Sequence, residues 1–289
     1  MIISASRRTD IPAYYSDWFF NRIKEGFVSV RNPRNFNQVR RVELTPDTVN
    51  GIVFWTKNPA PMVNHLGALQ DYMYYFQFTI TPYGKDIEQN VPQKNTDILL
   101  SFKRLSEIVG ADRIIWRYDP VLINAKYTAD YHIQAFEKIA RALHNDTRKV
   151  TISFIDTDYK AVKHNISKLN LTEFSAEMKT TLAATLASIA HSYGLSIDAC
   201  AQETDLQKYG ISRASCIDEQ LFEKLLGYSL NVKKDKNQRA ECGCASSVDI
   251  GMYNTCMNGC MYCYANYIQK AVTGNYKTHN PQSQFLVDI

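Results

Sequence analysis

Residues 78–122 read "FTITPYGKDIEQNVPQKNTDILLSFKRLSEIVGADRIIWRYDPVL". The stretch starts inside the apolar run 74–80, crosses a polar turn and enters 95–109, where Ile98, Phe102, Leu105 and Val109 recur at steps of three or four. That period is helical, and Gly110 supplies a C-terminal stop. The run 113–118 that follows is β-branched and aromatic and has strand length. Strand, helix and strand in succession form the repeating unit of a parallel sheet with helices outside it. The alternation continues on both sides. Strand-like runs lie at 1–6, 27–30, 51–56, 149–155, 195–200 and 248–253, and helical faces at 128–144, 177–193 and 218–229. Thr128 and Asp218 stand at N-cap positions, and Gly194 closes the third helix. Nearly every strand runs straight into polar residues: "RRTD" (7–10), "TKNP" (56–59), "TPYG" (81–84), "YDP" (118–120), "DTD" (156–158), "QETD" (202–205) and "NTC" (254–256). In a barrel such ends converge on one face, whereas a doubly wound sheet concentrates function at one switch point. The expectation is an α/β fold of one domain, 1–289, built as a complete or partial (β/α) barrel.

Composition bounds the function without naming it. The chain has 289 residues, 45% hydrophobic, with a net charge of +4. That is enough for one large core, and the mild basicity permits a polyanionic partner without demanding one. The opening "MIISASRRTD" turns polar after three residues, and no apolar run approaches a membrane span;. A cytoplasmic protein with no membrane partner is expected.

The seven cysteines carry the strongest chemical signal. Five fall within 242–263, and an odd number in a chain with no secretory leader argues against a disulfide framework;. In "TCMNGCMYCYANY" (255–267), Cys256, Cys260 and Cys263 follow the spacing C-x3-C-x2-C just beyond a strand. A structural zinc site wants four closed ligands, and only three are local. A cubane iron–sulfur cluster held by three thiolates keeps one iron open for another ligand. The segment 242–267 is therefore read as a cluster-binding segment.

This spacing, with an aromatic residue before the last cysteine, resembles the signature of the radical S-adenosylmethionine (SAM) superfamily. The resemblance implies a [4Fe–4S] cluster on Cys256, Cys260 and Cys263, with SAM chelated at the open iron. It also implies reductive cleavage of SAM to a 5′-deoxyadenosyl radical that abstracts hydrogen from a substrate, and a reductant such as flavodoxin or ferredoxin. In "FTITPYGKDIEQNVPQKN…", the acidic E-x-x-x-P turn from Glu88, the following helix and the strand ending in proline resemble spore-photoproduct-lyase-like proteins of that superfamily. "SASRRTDIP" and "FWTKNP" resemble their preceding strand ends. The whole chain also resembles the family DUF1848, with its C-terminal cysteine cluster. The implied fold is a TIM-type barrel, circularly permuted so that the cluster-bearing strand is C-terminal: "VDIGMYNTC" supplies the first strand and "MIISAS" the second. The superfamily's glycine–glycine–glutamate element is absent after "MIISAS", where "SRRTD" stands and leaves Asp10 or backbone carbonyls to hold the SAM amino group.

Cys200, Cys216, Cys242 and Cys244 remain. Four thiols can close a zinc site or ligate a second cubane, and they can equally be small buried hydrophobes. Arg117 and Asp119 in "WRYDP" are expensive to bury unpaired, so they form either a structural ion pair or catalytic contacts to SAM or substrate. Lys57 is read as a contact for the SAM carboxylate or a solvated loop lysine, and Thr79 and Thr81 as ribose ligands or ordinary strand threonines. Glu88 is singled out by the resemblance alone. Tyr262 and Tyr264 are expected to pack over the cluster, and the histidines to lie on helices or the surface. In 7–41, eight positive charges face three negative ones, with Tyr14, Tyr15, Trp18 and Phe36 interleaved. A helix with a solvated basic face over Trp18, Phe19 and Ile23 is favoured there over a nucleic-acid track. The leading expectation is a radical SAM enzyme of unknown substrate, with nucleic acid or nucleotides the first candidates. The alternative is a zinc- or cluster-stabilised nucleic-acid-binding module without catalysis.

Overall fold

The computed structural model describes residues 1–202 and 204–288, which leaves Glu203 of the polar run after 195–200 outside the described residues. The elements in chain order are β1 (Ile2–Ala5), α1 (Ile11–Tyr14), α2 (Ser16–Glu25), β2 (Phe27–Asn32), β3 (Asn35–Glu43), β4 (Gly51–Thr56), α3 (Ala60–Val63) and β5 (Tyr74–Thr79). There follow α4 (Leu99–Val109), β6 (Ile114–Val121), α5 (Ala129–Leu143), β7 (Lys149–Phe154), α6 (Lys160–Leu169), α7 (Ala176–Ser192) and β8 (Ser196–Ala199). The chain ends with β9 (Ile211–Arg213), α8 (Glu219–Leu226), β10 (Val248–Asp249) and α9 (Gln269–Thr278).

Eight strands form one parallel sheet in the order β10-β1-β4-β5-β6-β7-β8-β9. The C-terminal strand lies beside the N-terminal one, with Ile3 opposite Val248 and Ser4 opposite Asp249. Among the described residues β9 and β10 are the two edges of the ladder, so the barrel expectation reduces here to an α/β fold on a large parallel sheet.

Alternation along the strands explains both faces. Ile3, Ile52, Phe54, Phe76, Phe78, Trp116, Tyr118, Val150 and Ile152 point to one side and form the main core with Phe102, Phe136 and Leu186 of the outer helices. The other side carries Ile2, Val53, Tyr75 and Ile115 near its base, where Phe222 of α8 packs on Tyr75 with ring centroids 4.9 Å apart. Higher up, that same side holds the buried polar residues Gln77, Arg117, Thr151 and Asp198. A sheet face that buries charge needs partners for it: Arg117 meets Asp119 toward the C-terminal end of β6, and Asp198 meets Lys149 at the start of β7;.

Several expectations need correction. The basic region 7–41 is not one helical face. α2 does bury Trp18 and Phe19, but 27–43 is the antiparallel hairpin β2–β3, whose second strand was not expected from sequence. Its polar, arginine-rich sequence masks the period-2 pattern because most of β3 is solvent-exposed. The strand expected at 248–253 is two residues long, and α6, β9 and α9 were also missed. His132 lies on helix α5, as expected, and is fully buried there, its ring nitrogens 2.7 Å from the Tyr118 hydroxyl and 2.9 Å from the Leu122 carbonyl. No helix among the described residues is long and apolar enough to cross a membrane.

Candidate active site at the strand ends

The polar strand ends converge. Residues from the ends of β1, β4, β5, β6, β7 and β8 and from the loop after β10 line one cavity of about 290 Å³. All seven cysteines line it, as do Asp10, Lys57, Thr79, Arg117, Asp119 and Tyr262. Thr81 and Glu88 do not. They sit just behind, beside a second cavity, and Glu88 reaches the first through Lys57, Tyr262 and its bridge to Cys260.

The loop carrying Cys256, Cys260 and Cys263 is held by a polar clamp. Glu88 forms an isolated antiparallel bridge with Cys260, Met261 donates its N–H to the Ile87 carbonyl at 2.9 Å, and Asn90 donates to the Asn258 carbonyl at 3.1 Å. Between the cysteines the chain must turn sharply, and Gly259 does so at φ +65°, where a Cβ would sit 3.1 Å from Asn90 Nδ2. Asn258 ties the loop to the N-terminal segment: its Nδ2 donates to Asp10 at 3.0 Å, and its Oδ1 accepts from the Tyr14 hydroxyl at 3.0 Å. Asn254 closes the far end by accepting from the Tyr267 N–H at 2.6 Å.

Glu88 is the electrostatic centre of this clamp. Its buried carboxylate accepts from Lys57 at 2.8 Å and from Thr81 at 2.7 Å, and it also meets Lys94 and the Tyr262 hydroxyl. Burial alone would raise its pKa, but Lys57 and Lys94 hold it down to about 2;. Burial also acts against the charge on Lys57, yet Glu88 raises its pKa on balance, whereas burial prevails at Lys94 and lowers it. Asp10 has the opposite character. Burial raises its pKa, and its oxygens are taken up by Ala13 N, Lys57 N and Asn258 Nδ2, so it caps α1 and positions the loop. Asp10 also lines the cavity, beside the cysteine loop that it positions.

Burial pushes the Cys256 thiol up to about 12 and raises Cys260 and Cys263 as well. Burial thus favours the protonated form of all three thiols. The adjoining wall holds Cys200, Cys216, Cys242 and Cys244, packed with Tyr75, Ile217 and Phe222. Arg117, buried on the polar sheet face, donates to Cys216 Sγ at 2.9 Å, to Gln77 Oε1 at 3.3 Å and to Asp119 at 3.1 Å. Asp119 also accepts from Ser153. Arg117 and Asp119 therefore form the ion pair that was one of the two expectations, and the pair lines the cavity.

Sequence reasoning missed several participants. Asp249 accepts from the Ser4 and Ser6 hydroxyls at 2.6 and 2.7 Å and from Arg7 N at 2.8 Å, which locks the C-terminal strand to the N-terminal one. Lys94, Asn90 and Asn258 were missed because each lies in a polar loop where such residues are unremarkable. Arg7 and Arg8 lie over the Trp55 and Tyr253 rings at 5.5 and 5.2 Å and line the cavity. Tyr264 donates to the Arg7 carbonyl at 2.6 Å.

No three of the described His, Cys, Asp and Glu side chains converge as a single bound ion requires. A cubane asks for a different arrangement, because each ligand binds a separate iron.

Comparison with known proteins gives a family and little else. The chain belongs to the family described as a domain of unknown function, DUF1848, whose sequence profile matches residues 2–265. No curated protein matches it. A solved structure from Bacteroides thetaiotaomicron VPI-5482, described as a candidate α-L-fucosidase, aligns over 80% of this chain and 84% of that one. The identity is 10% and the TM-score 0.26, a likeness that carries no argument about fold or activity.

Proposed function

We propose, taking membership of this family as the premise, that the chain is a radical SAM enzyme whose [4Fe–4S] cluster is held by Cys256, Cys260 and Cys263. The observation that carries the reading is the position of these three thiols: a C-x3-C-x2-C loop at the C-terminal edge of a parallel sheet, facing a cavity lined by strand-end polar groups. The donor set fits. Three soft thiols lie on one short loop and no carboxylate side chain lies within it, which suits an iron–sulfur cluster with one iron left for another ligand;. When bound and reduced, the cluster supplies the electron that cleaves the SAM sulfonium.

The protein's part is binding, orientation and exclusion of water. The Glu88–Lys57–Lys94 cluster and the Tyr262 hydroxyl hold the loop in place. Lys57 and Arg117 are charge-paired with Glu88 and Asp119, but across the cavity lining Arg7, Arg8, Lys57, Arg117 and Arg239 outnumber Asp10, Asp119 and Asp156, an excess that favours the SAM carboxylate and an anionic substrate;. Thr79 faces the cavity as a candidate ribose ligand. A nucleotide or nucleic acid remains the proposed substrate class, supported by that lining and by the exposed hairpin β2–β3 with Arg34, Arg40, Arg41 and Phe36. Closure of the eight-stranded sheet into a partial or complete barrel, permuted through β10, belongs to the same proposal and is supported by the sequential strand order.

The test is anaerobic reconstitution with iron and sulfide, then SAM cleavage under dithionite. Wild type should release 5′-deoxyadenosine, and a variant with Cys256, Cys260 and Cys263 all changed to Ala should release none. Bound zinc, no retained iron and no cleavage would sink the enzyme reading in favour of a metal-stapled binding protein.

A further inference from the structure

We propose that Cys200, Cys216, Cys242 and Cys244 ligate a second iron–sulfur cluster, distinct from the SAM-binding site and fully coordinated by protein. The four thiols come from three places in the chain: the end of β8, the loop before α8, and the loop before β10. Nothing in their sequence spacing brings them together, yet their sulfurs meet. Cys200 Sγ lies 3.5 Å from Cys216 Sγ, a pair that must part to bind separate irons, and Cys216, Cys242 and Cys244 are buried in one cluster;. If these were merely small core hydrophobes, packing would give no reason for the sulfur atoms to seek one another.

The surroundings point the same way. A buried guanidinium, Arg117, donates to Cys216 Sγ at 2.9 Å, and the Ile217 N–H points at Cys244 Sγ at 3.4 Å. Arg7 lines the same cavity as Cys216 and Cys244; its Nη1 pairs with Asp235 at 3.7 Å, while its Nη2 is buried with no hydrogen-bond partner among the described residues. Cationic and N–H donors gathered around sulfur are what a buried anionic thiolate cluster requires, and they are the groups through which a protein tunes its potential. A neutral thiol gives such donors little in return.

Iron–sulfur is favoured over zinc on two grounds. Among the described residues no three of the thiols converge on one ion-sized point. They also line the same cavity as the Cys256, Cys260 and Cys263 loop, where the proposed chemistry is already redox. Four ligands leave no iron open, so this centre would bind no SAM and would serve to carry or store an electron.

The experiment uses the full chain, reconstituted without oxygen with ferrous iron and sulfide. Iron, sulfide and zinc are counted, and the reduced protein is examined by low-temperature EPR. Wild type should carry about eight irons, and the variant lacking Cys256, Cys260 and Cys263 should keep about four with an EPR-active cluster. Changing Cys200 and Cys216 to Ala in that variant should remove the remaining iron. Arg117→Gln leaves every ligand in place. In the same variant it should keep the iron and move the reduction potential downward, because a cationic donor to sulfur is gone. About four irons both in wild type and in the variant lacking Cys256, Cys260 and Cys263 would support this site while sinking the SAM site. About four in wild type with none in that variant, its circular dichroism unchanged, would overturn the second cluster and leave the SAM site standing. One zinc per chain in place of the second set of irons would overturn it as well. The wild-type count and the Arg117→Gln shift decide the matter even if the Cys200 and Cys216 variant fails to fold.

Discussion

The two thiol-bearing walls of the cavity are built by opposite means. The loop with Cys256, Cys260 and Cys263 is contiguous in sequence and held by polar contacts: the Glu88 bridge, Asn90, and the Asp10–Asn258–Tyr14 chain. The wall with Cys200, Cys216, Cys242 and Cys244 is assembled from distant segments and held by apolar packing of Tyr75, Ile217 and Phe222, with Arg117, Gln77 and the Tyr75 hydroxyl as polar anchors on Cys216. A contiguous loop needs only its backbone pinned, which hydrogen bonds do well. Dispersed segments need a surface to dock against, and the base of the sheet supplies it. The difference teaches that cysteine spacing marks only the first kind of site.

The sharpest way to break the comparison is Glu88→Gln. It leaves Lys57 and Lys94 buried without their counter-charge, a situation that costs about 3 to 5 kcal/mol. The urea midpoint should fall accordingly, and Cys260 should react faster with a thiol reagent while Cys216 does not. Equal acceleration at both cysteines would show that the walls are not held independently.

Acid should loosen the frame that both walls share. His132, buried between β6 and α5, has its pKa lowered by burial to about 4, against 6.5 for the free side chain;. As pH falls through 6.5 the unfolded chain takes up a proton that the folded protein refuses until about pH 4. Stability contributed by neutral His132 is thus present above 6.5 and is lost between 6.5 and 4, by at most about 3 kcal/mol. Urea melts at pH 7 and 4.5 should show the drop, and His132→Asn should flatten it.

Tyr75→Phe probes the apolar wall. The Tyr75 hydroxyl donates to the Cys216 carbonyl and accepts from the Asp218 N–H, each at 2.8 Å. Its removal leaves the Asp218 N–H without an acceptor and should cost about 2 kcal/mol, read in the same melts. Gln77 still donates to the Cys216 carbonyl at 2.9 Å, so Cys216 should keep its place. Gly259→Ala is the smallest perturbation, about 1 kcal/mol for a Cβ in a left-handed turn, and it should act on the polar wall alone. A midpoint unchanged by Gly259→Ala would mean that the turn between the cysteines relaxes freely.

Much of the fold was legible because periodicity is local. Ile98, Phe102, Leu105 and Val109 mark a helix wherever it packs, and 74–80 and 113–118 mark strands by their β-branched and aromatic runs. β3 was not legible because its exposed arginines and asparagines carry no buried face to reveal a period of two. α9 was not, because only Val272 of its residues is buried.

At the site, the sequence by itself determined the three-thiol loop, its position after a strand, and the polar character of the strand ends. Those features depend on spacing along the chain, which folding does not alter. The resemblance implied that β10 lies beside β1, as it does, but only the tertiary structure decided that Glu88 clamps Cys260 with two lysines, that Asp10 caps α1 and ties down the cysteine loop, and that four scattered cysteines share a wall with Arg117. Each of these depends on which distant segments meet. That is set by the register of a sheet whose first strand in space is the last in sequence, and no local pattern encodes it.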